Sequence, residues 1–497
     1  MQLEIREDDI RKVEADTLVI NLFEGVEAPG GASGAVDEAL GGALHELVAA
    51  GDATGRLGET TVLYPRGALP VRRVLVTGLG PSASFGAEAA RLAAAAAARR
   101  ALELGGGRLA TVLHGAGAGG LEPERAAQAT VEGSLLAAYR FEGWKRQETP
   151  PRSLASLVLV EADAARAEAA RRGAATAEAI ARGVTLARDL VNRPPNVADP
   201  AHLADAARSL AERHGMRVHV GDRAWAAEQS MGAFLAVAEG SAHEPAFIEL
   251  ELNAGAGDLP TVVLVGKGVT FDSGGLSLKT RDGMIPMKSD MAGAAAVLGA
   301  LEAAAELELP LHLIGLCPCV ENMPDGGAYR PSDVLVASNG LSIEVLSTDA
   351  EGRLALADAL AYAQRFEPNA VIDLATLTGS CVVALGSGVA AGLFSNDDHL
   401  RDRLVAAGQQ SHERVWPLPL YEDYRTTIDS TIADLKNSGG REGGVGTSAA
   451  FLQAFVRYPW AHLDIAGMAL TDRNGGYRPE GATGFGVRLL TEALRHW

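Results

Sequence analysis

The run Val262-Val-Leu-Val265 leaves this chain few folds to choose from. Four consecutive apolar residues, three of them β-branched, place side chains on both faces of a strand, so both faces must be covered. That is the situation of a buried parallel strand in an α/β sheet. Further apolar runs at 246–252, 311–316 and 370–375 alternate with helical spacing near 291–306 and 353–366, which repeats the α/β pattern around it. Open α/β sheets bind ligands beyond the carboxyl ends of their strands, and there the sequence puts Gly266-Lys267-Gly268 and Asp272.

Two short glycine-punctuated segments carry the chemistry: Lys267-Gly-Val-Thr-Phe-Asp272 with Asp290 further on, and Asp349-Ala-Glu351-Gly-Arg353. Acidic groups crowded beside apolar strands stay ionised in a low-dielectric cleft only when something positive neutralises them, and a divalent metal is the usual neutraliser. Asp272, Asp290, Asp349 and Glu351 bring four formal negative charges, which two divalent cations balance. Each cluster alone has a plainer reading. Asp290 also fits an N-cap for a helix beginning at Met291, and 349–353 fits a solvated capping turn before a helix near Leu354. Taken together they favour a two-metal centre, with ions ~3.5–4 Å apart, of the kind that performs metal-assisted hydrolysis. Lys279 and Arg353 are then the electrophilic partners for developing oxyanion charge.

At 497 residues the chain exceeds what one core supports, so two or three domains are expected. Strands are expected at Thr17–Phe23, Thr60–Tyr64, Arg73–Thr77 and Leu109–Leu113, with helices over Ser33–Ala50, Gly86–Leu104 and Glu122–Tyr139 between them, a small α/β unit. The polar segment Trp144–Pro151 reads as a linker, followed by a strand at Ser156–Val160 and an alanine-rich helix from about Ala164 to Leu190. That helix must stop at Asn192-Arg-Pro194-Pro195, because consecutive prolines remove donors and push the preceding residue out of helical geometry. The expected domains are 1–165 and 166–497. Asp199-Pro200 caps the next helix, with Gly215 past its end.

Composition removes several functions. With 63 acidic against 44 basic residues, the net charge of −19 repels nucleic acid and anionic membranes. Cys317, Cys319 and Cys381, an odd and sparse set without CxxC spacing, do not make a disulfide framework or a zinc–thiolate site and fit a reducing cytoplasm. The start lacks a basic n-region with an apolar h-region, and no apolar stretch reaches membrane-spanning length. HExxH, GxSxG and GxxxxGK[ST] are absent. Gly115-Ala-Gly117-Ala-Gly-Gly120 satisfies GxGxxG but reads as a tight turn, since the helix after it leads into the linker. His462-Leu-Asp464 suggests an acid/base pair, yet the apolar residues around it make His462 a satisfied structural histidine, and Cys317 and Cys319 read as core packing.

Lys267-Gly-Val-Thr-Phe-Asp-Ser-Gly-Gly275, Met287-Lys-Ser-Asp290-Met and Ser347-Thr-Asp-Ala-Glu-Gly-Arg-Leu354 resemble the signature of the leucyl aminopeptidase family, the di-metal cytosol aminopeptidases. Segments at 189–196, 321–326, 330–333, 373–379, 433–437 and 462–467 resemble it in the same order, so the likeness covers 170–497 and continues into the strand and glycine order before it. The resemblance implies an N-terminal α/β domain related to macro domains and a larger C-terminal α/β catalytic domain with a central mixed sheet. It implies a cytoplasmic homohexamer that removes an N-terminal, preferably apolar residue from peptides with a free N-terminus, through two divalent metals (Mn or Zn, with Mg or Co as alternatives) and a bridging water.

On that resemblance Asp272 and Glu351 bridge the metals, Asp349 completes one site, and Asp290 with the neutral amine of Lys267 completes the other. Lys279 lies near the scissile carbonyl. Arg353 holds a bicarbonate that acts as general base, a task suited to a planar guanidinium. Met287, Thr376, Leu377, Gly379, Ala466 and Ala469 form the substrate pocket. This chain departs from the family at Ser347, where Asn is usual, and at Ala469, where a larger residue, often Met, can stand; the first bears on substrate positioning and the second on pocket width. Two other roles stay open: DNA binding, which some relatives show and the charge opposes, and nucleotide or ADP-ribose binding by the N-terminal domain, on fold analogy.

Overall fold

Both halves of the computed structural model are built on sheets covered on two faces, as continuous apolar strands require. Residues 1–146 and 151–497 are described. They divide into one unit of Met1–Ala181 with Arg473–Glu480, and another of Arg182–Asp472 with Gly481–Trp497.

In the first unit β1 (Gln2–Glu7), β2 (Ala15–Leu22), β3 (Thr60–Leu63), β4 (Val71–Gly78), β5 (Gly107–Val112) and β6 (Leu154–Glu161) form one sheet in the order β1-β6-β5-β2-β4-β3. All neighbours are parallel except β3 on its edge. Along β2, Leu18 and Ile20 pack on one face and Val19 on the other, each fully buried. Alanines of the helices Ala87–Glu103 and Pro123–Ala138 cover the Val19 face, while Val36 and Leu44 of Gly31–Ala39 and Ala43–Ala50 cover the opposite one. The single helix expected over 33–50 is two, because Gly41 and Gly42 adopt φ of 67° and 89° and turn the chain. Strand β1 has no counterpart in the sequence reading; its edge position leaves it half-exposed, with charged residues among its apolar ones.

The linker expected at 144–151 lies partly outside the described residues, at 147–150. After β6 the chain enters a 29-residue helix, Ala164–Asn192, ending ahead of the proline pair. The division between units falls inside this helix, at 181/182.

The second unit contains β7 (Arg217–Gly221), β8 (Ala246–Leu252), β9 (Thr261–Gly266), β10 (Gly268–Asp272), β11 (His312–Asn322), β12 (Val334–Val336), β13 (Ser342–Glu344), β14 (Ala370–Ala375), β15 (Ala391–Ser395), β16 (Val415–Pro417), β17 (Leu435–Lys436) and β18 (Trp460–Asp464). Its main sheet runs β16-β15-β18-β14-β9-β11-β8-β7, with β10 added on β11. The centre β18-β14-β9-β11 is parallel, whereas β8 and β15 run antiparallel to their inner neighbours. Val262–Val265 is wholly buried in that parallel centre. A small sheet β12-β13-β17 lies apart from it. The helix Pro200–His214 starts as expected, Asp199 accepting from the His202 amide at 2.8 Å, and ends at Gly215 with φ 64°. No described helix is long and apolar enough to cross a membrane.

Candidate metal centre

Lys267 occupies the single-residue break between β9 and β10. Its backbone is held from two sides, its N–H donating to Leu374 O on β14 at 3.0 Å and its carbonyl accepting from Ala294 N of the helix Ala292–Glu306 at 2.9 Å. The approach is so close that a Cβ on Gly293 would stand 2.1 Å from Leu374 O, which is why a glycine stands second in this helix. The strand therefore delivers a lysine into a buried cleft with little freedom to turn away.

Around it the carboxylates gather. Lys267 Nζ lies 2.9 Å from both Asp290 Oδ1 and Glu351 Oε1, and donates to Thr376 O at 3.0 Å. Lys279 Nζ lies 2.7 Å from Asp272 Oδ2 and 2.5 Å from Asp349 Oδ1. One ligand atom from each of Asp272, Asp290 and Glu351 lies within 4.8 Å of the others, and all three residues are buried. The plainer readings do not hold for Asp290 and Glu351, while Asp349 keeps a side chain that is 40% exposed. The helix after Asp290 is capped at Met291 without a side-chain bond, and the Asp290 side chain faces Lys267 and Thr376 Oγ1 instead, the latter donating at 2.7 Å. The second helix begins at Glu351, earlier than the expected Leu354, and Glu351 is 2% exposed.

Four carboxylates against two lysines leave the cluster short of positive charge, and it responds by holding protons. Burial, with Glu351 close by, pushes the Asp272 carboxyl up to about 6 against the pull of the two lysines. Burial likewise pushes Asp290 up to about 8, Lys267 opposing and Glu351 adding, and raises Asp349. Burial also acts on Glu351, but Lys267 and Lys279 outweigh it and hold that carboxyl low. Both lysines are held protonated: burial disfavours their charge, yet the surrounding carboxylates prevail. Asp290 Oδ2 and Glu351 Oε2 are buried without a hydrogen-bond partner among the described residues, which is costly for carboxylates that nothing else neutralises.

Of the remaining expected residues, Thr376 touches this cluster directly, through Asp290 and Lys267. Arg353, 8% exposed, donates from Nη1 to Asn437 O at 2.8 Å, while its Nε is buried without a partner among the described residues. Burial lowers its guanidinium to about 10. Thr376 is tied to Asp290, and the Asp464 carboxylate accepts from the amides of Leu377 and Ala466, each at 3.2 Å. Gly379 starts the helix Gly379–Leu385, and a Cβ there would meet nothing within 4 Å. Met287 lies in the turn before Asp290, whose amide donates to its carbonyl at 3.3 Å, and Ala469 is buried.

Some contacts were given no role by the sequence reading. Asn322, at the end of β11, donates from Nδ2 to Asp272 Oδ1 at 2.7 Å and to Thr348 O at 2.9 Å. Asp464 joins two stretches of the expected pocket wall through its one carboxylate. Only the pairing of β10 with β11 and of β14 with β18 brings these residues to the site, a signal that spacing does not carry. His462 behaves as read: it is buried, its Nδ1 2.6 Å from Asp373 Oδ1. The three cysteines are free and buried.

The family model for the cytosol aminopeptidase catalytic domain matches residues 185–491, and that for the N-terminal domain of the same family matches 19–148. The chain is 50% identical over 501 residues to a probable cytosol aminopeptidase of Roseiflexus castenholzii, covering 100% of this chain and 99% of that one. It is 44% identical over 480 residues to the cytosol aminopeptidase of Pseudomonas aeruginosa, 96% of each chain. Among solved structures, a tomato leucine aminopeptidase variant superposes with a TM-score of 0.89 at 33% identity, covering 100% of this chain and 97% of that one. A bottromycin maturation enzyme in complex with Mn superposes at 0.85 with 37% identity, covering 97% and 99%. With both domains matched and relatives aligned almost end to end, the chain belongs to the cytosol aminopeptidase family and is an aminopeptidase.

Proposed function

We propose that the chain is a leucyl-type metallo-exopeptidase that works with two divalent ions and removes an apolar first residue from peptides. The observation that carries this reading is the buried trio Asp272, Asp290 and Glu351, with ligand atoms within 4.8 Å of one another and two carboxylate oxygens lacking partners. That donor set, oxygen-rich with one amine, fits divalent metal, and Mn or Zn are the ions we assign to it. Asp272 and Glu351 would be shared by both ions, Asp349 would complete one site, and Asp290 with Lys267 the other. Lys267 ligates only after losing its proton, and incoming cations favour that loss by replacing the charge it now supplies.

Arg353 would hold bicarbonate, since a buried guanidinium with an unpaired Nε is a ready anion donor. When bound, divalent ions supply Lewis acidity toward water and carbonyl oxygen, and bicarbonate supplies a proton acceptor. The chain's own groups do the rest. Lys279 donates a hydrogen bond to charge developing on the scissile carbonyl oxygen, and the substrate's α-amino group is received on the Lys267 and Asp290 side. Met287, Thr376, Leu377, Gly379, Ala466 and Ala469 take the first side chain, and their small or apolar character supports a Leu or Met preference. Exposed Leu276, Leu278, Ile285, Val334, Val336 and Ile432 on the second unit support a homohexamer in which other subunits cover them, and a cytoplasmic setting accords with this reading.

The test is hydrolysis of a panel of aminoacyl-p-nitroanilides. Activity highest on the Leu and Met members, abolished by chelator, restored by Mn or Zn and lost in a folded Asp349→Asn variant is the expected result. Full activity in metal-stripped protein, or no preference among first residues, would overturn the reading.

A further inference from the structure

Asp464, the last residue of β18, is fully buried, and no basic side chain forms an ion pair with it among the described residues. A carboxylate so placed is costly unless hydrogen bonds hold it, so its partners define its task. Its Oδ1 accepts from the amides of Leu377 at 3.2 Å, Thr378 at 3.4 Å and Ala466 at 3.2 Å, and its Oδ2 accepts from Thr378 Oγ1 at 2.6 Å. These donors belong to two loops, one after β14 and one after β18, parallel neighbours whose last residues, Ala375 and Asp464, lie side by side. Ligands of α/β sheets sit where such strands end.

The hold extends beyond these bonds. While donating to Asp464, Thr378 Oγ1 accepts from Cys381 N at 3.0 Å and so caps the helix Gly379–Leu385. Fixing this hydroxyl therefore fixes where Gly379 opens that helix. At the other end of the same loop Thr376 is held by the carboxylate cluster, its Oγ1 donating to Asp290 Oδ1 at 2.7 Å and its carbonyl accepting from Lys267 Nζ at 3.0 Å. Leu377 lies between two pins, the cluster at Thr376 and Asp464 at Thr378. Releasing the second pin frees Leu377 and Gly379 and leaves the bonds among Thr376, Asp290 and Lys267 in place.

We propose that Asp464, acting through Thr378, is a specificity-determining positioning residue that holds the Leu377–Gly379 wall of the first-residue pocket, an inference that rests on those residues forming that pocket. An apolar pocket gains roughly 10- to 200-fold per methylene it recognises, and it does so only while its wall stays against the side chain. A loosened wall thus lowers the preference for Leu over Ala. The test measures kcat/KM on Leu- and Ala-p-nitroanilide with the full Mn-loaded chain. Thr378→Val keeps the shape and deletes the hydroxyl, Asp464→Asn keeps the volume but presents to that hydroxyl a nitrogen that cannot accept, and Thr378→Ser retains the hydroxyl. The Leu-to-Ala ratio should fall about tenfold or more in Thr378→Val and Asp464→Asn and stay within about threefold of wild type in Thr378→Ser, with equal metal content by mass spectrometry in all of them. A ratio unmoved in folded Thr378→Val or Asp464→Asn protein, a Thr378→Ser ratio as low as that of Thr378→Val, or metal lost in step with the ratio would overturn the inference. A wild-type chain without preference for Leu over Ala removes the pocket reading and this inference together, whereas a wild-type preference that survives both substitutions removes the inference alone.

Discussion

Gly352→Ala offers a sharp test of how the metal centre is held. Gly352 is the second residue of the helix Glu351–Ala363, and a Cβ there would lie 2.4 Å from Lys267 Cε and 2.6 Å from its Nζ. Restoring ordinary contact at about 3.4 Å displaces the lysine chain by about 1 Å, away from Asp290 and Glu351, which it now meets at 2.9 Å. A misplacement of about 1 Å at reacting groups costs on the order of 100-fold in rate, roughly 2.7 kcal/mol in barrier. Stability should hardly change, because alanine gains about 1 kcal/mol over glycine inside a helix and the clash falls on a flexible side chain. Gly293→Ala provides the contrast: its Cβ meets backbone, Leu374 O at 2.1 Å and Lys267 N at 2.7 Å, and nothing there swings aside, so about 3 kcal/mol of stability should be lost. The assay pairs kcat/KM on Leu-p-nitroanilide with metal content by mass spectrometry and urea unfolding. Gly352→Ala protein with wild-type kcat/KM and full metal would refute the claim that Lys267 is held in place for function.

Arg353→Lys keeps the charge but loses the planar fork and the bond to Asn437 O; kcat should fall roughly 10- to 100-fold with metal content unchanged, and parallel loss of metal would contradict the assigned role. Asp373→Ala strips the acceptor from Trp460 Nε1 (2.7 Å) and His462 Nδ1 (2.6 Å), all buried, so urea unfolding should show about 3–5 kcal/mol lost, and a cost under about 1 kcal/mol would contradict this account. Burial pushes the Asp358 carboxyl from 3.8 up to about 6, although it accepts from the amides of Phe234 and Ser338. A raised folded value means the folded state binds the extra proton, so stability falls as pH rises from about 4 through about 6, by on the order of 3 kcal/mol. Asp358→Asn should flatten that slope in pH-dependent unfolding, and an unchanged slope would reject it.

The α/β class and the residues of the buried carboxylate cluster were legible in the sequence, because both are written locally. Val262–Val265 is apolar at every position since neighbours cover both of its faces, and the two acidic clusters follow at strand and helix ends where such folds gather ligands. Spacing alone left Asp290 open between N-cap and ligand. Tertiary structure removed the first alternative, since the side chain turns from the helix toward Lys267 and Thr376, residues brought beside it by β9 and β14. Other features had no local signature at all: the half-exposed edge strand β1 and the bond from Asn322 to Asp272. Each depends on which strands become neighbours, and strand neighbours are chosen by the burial of the whole sheet rather than by any one segment.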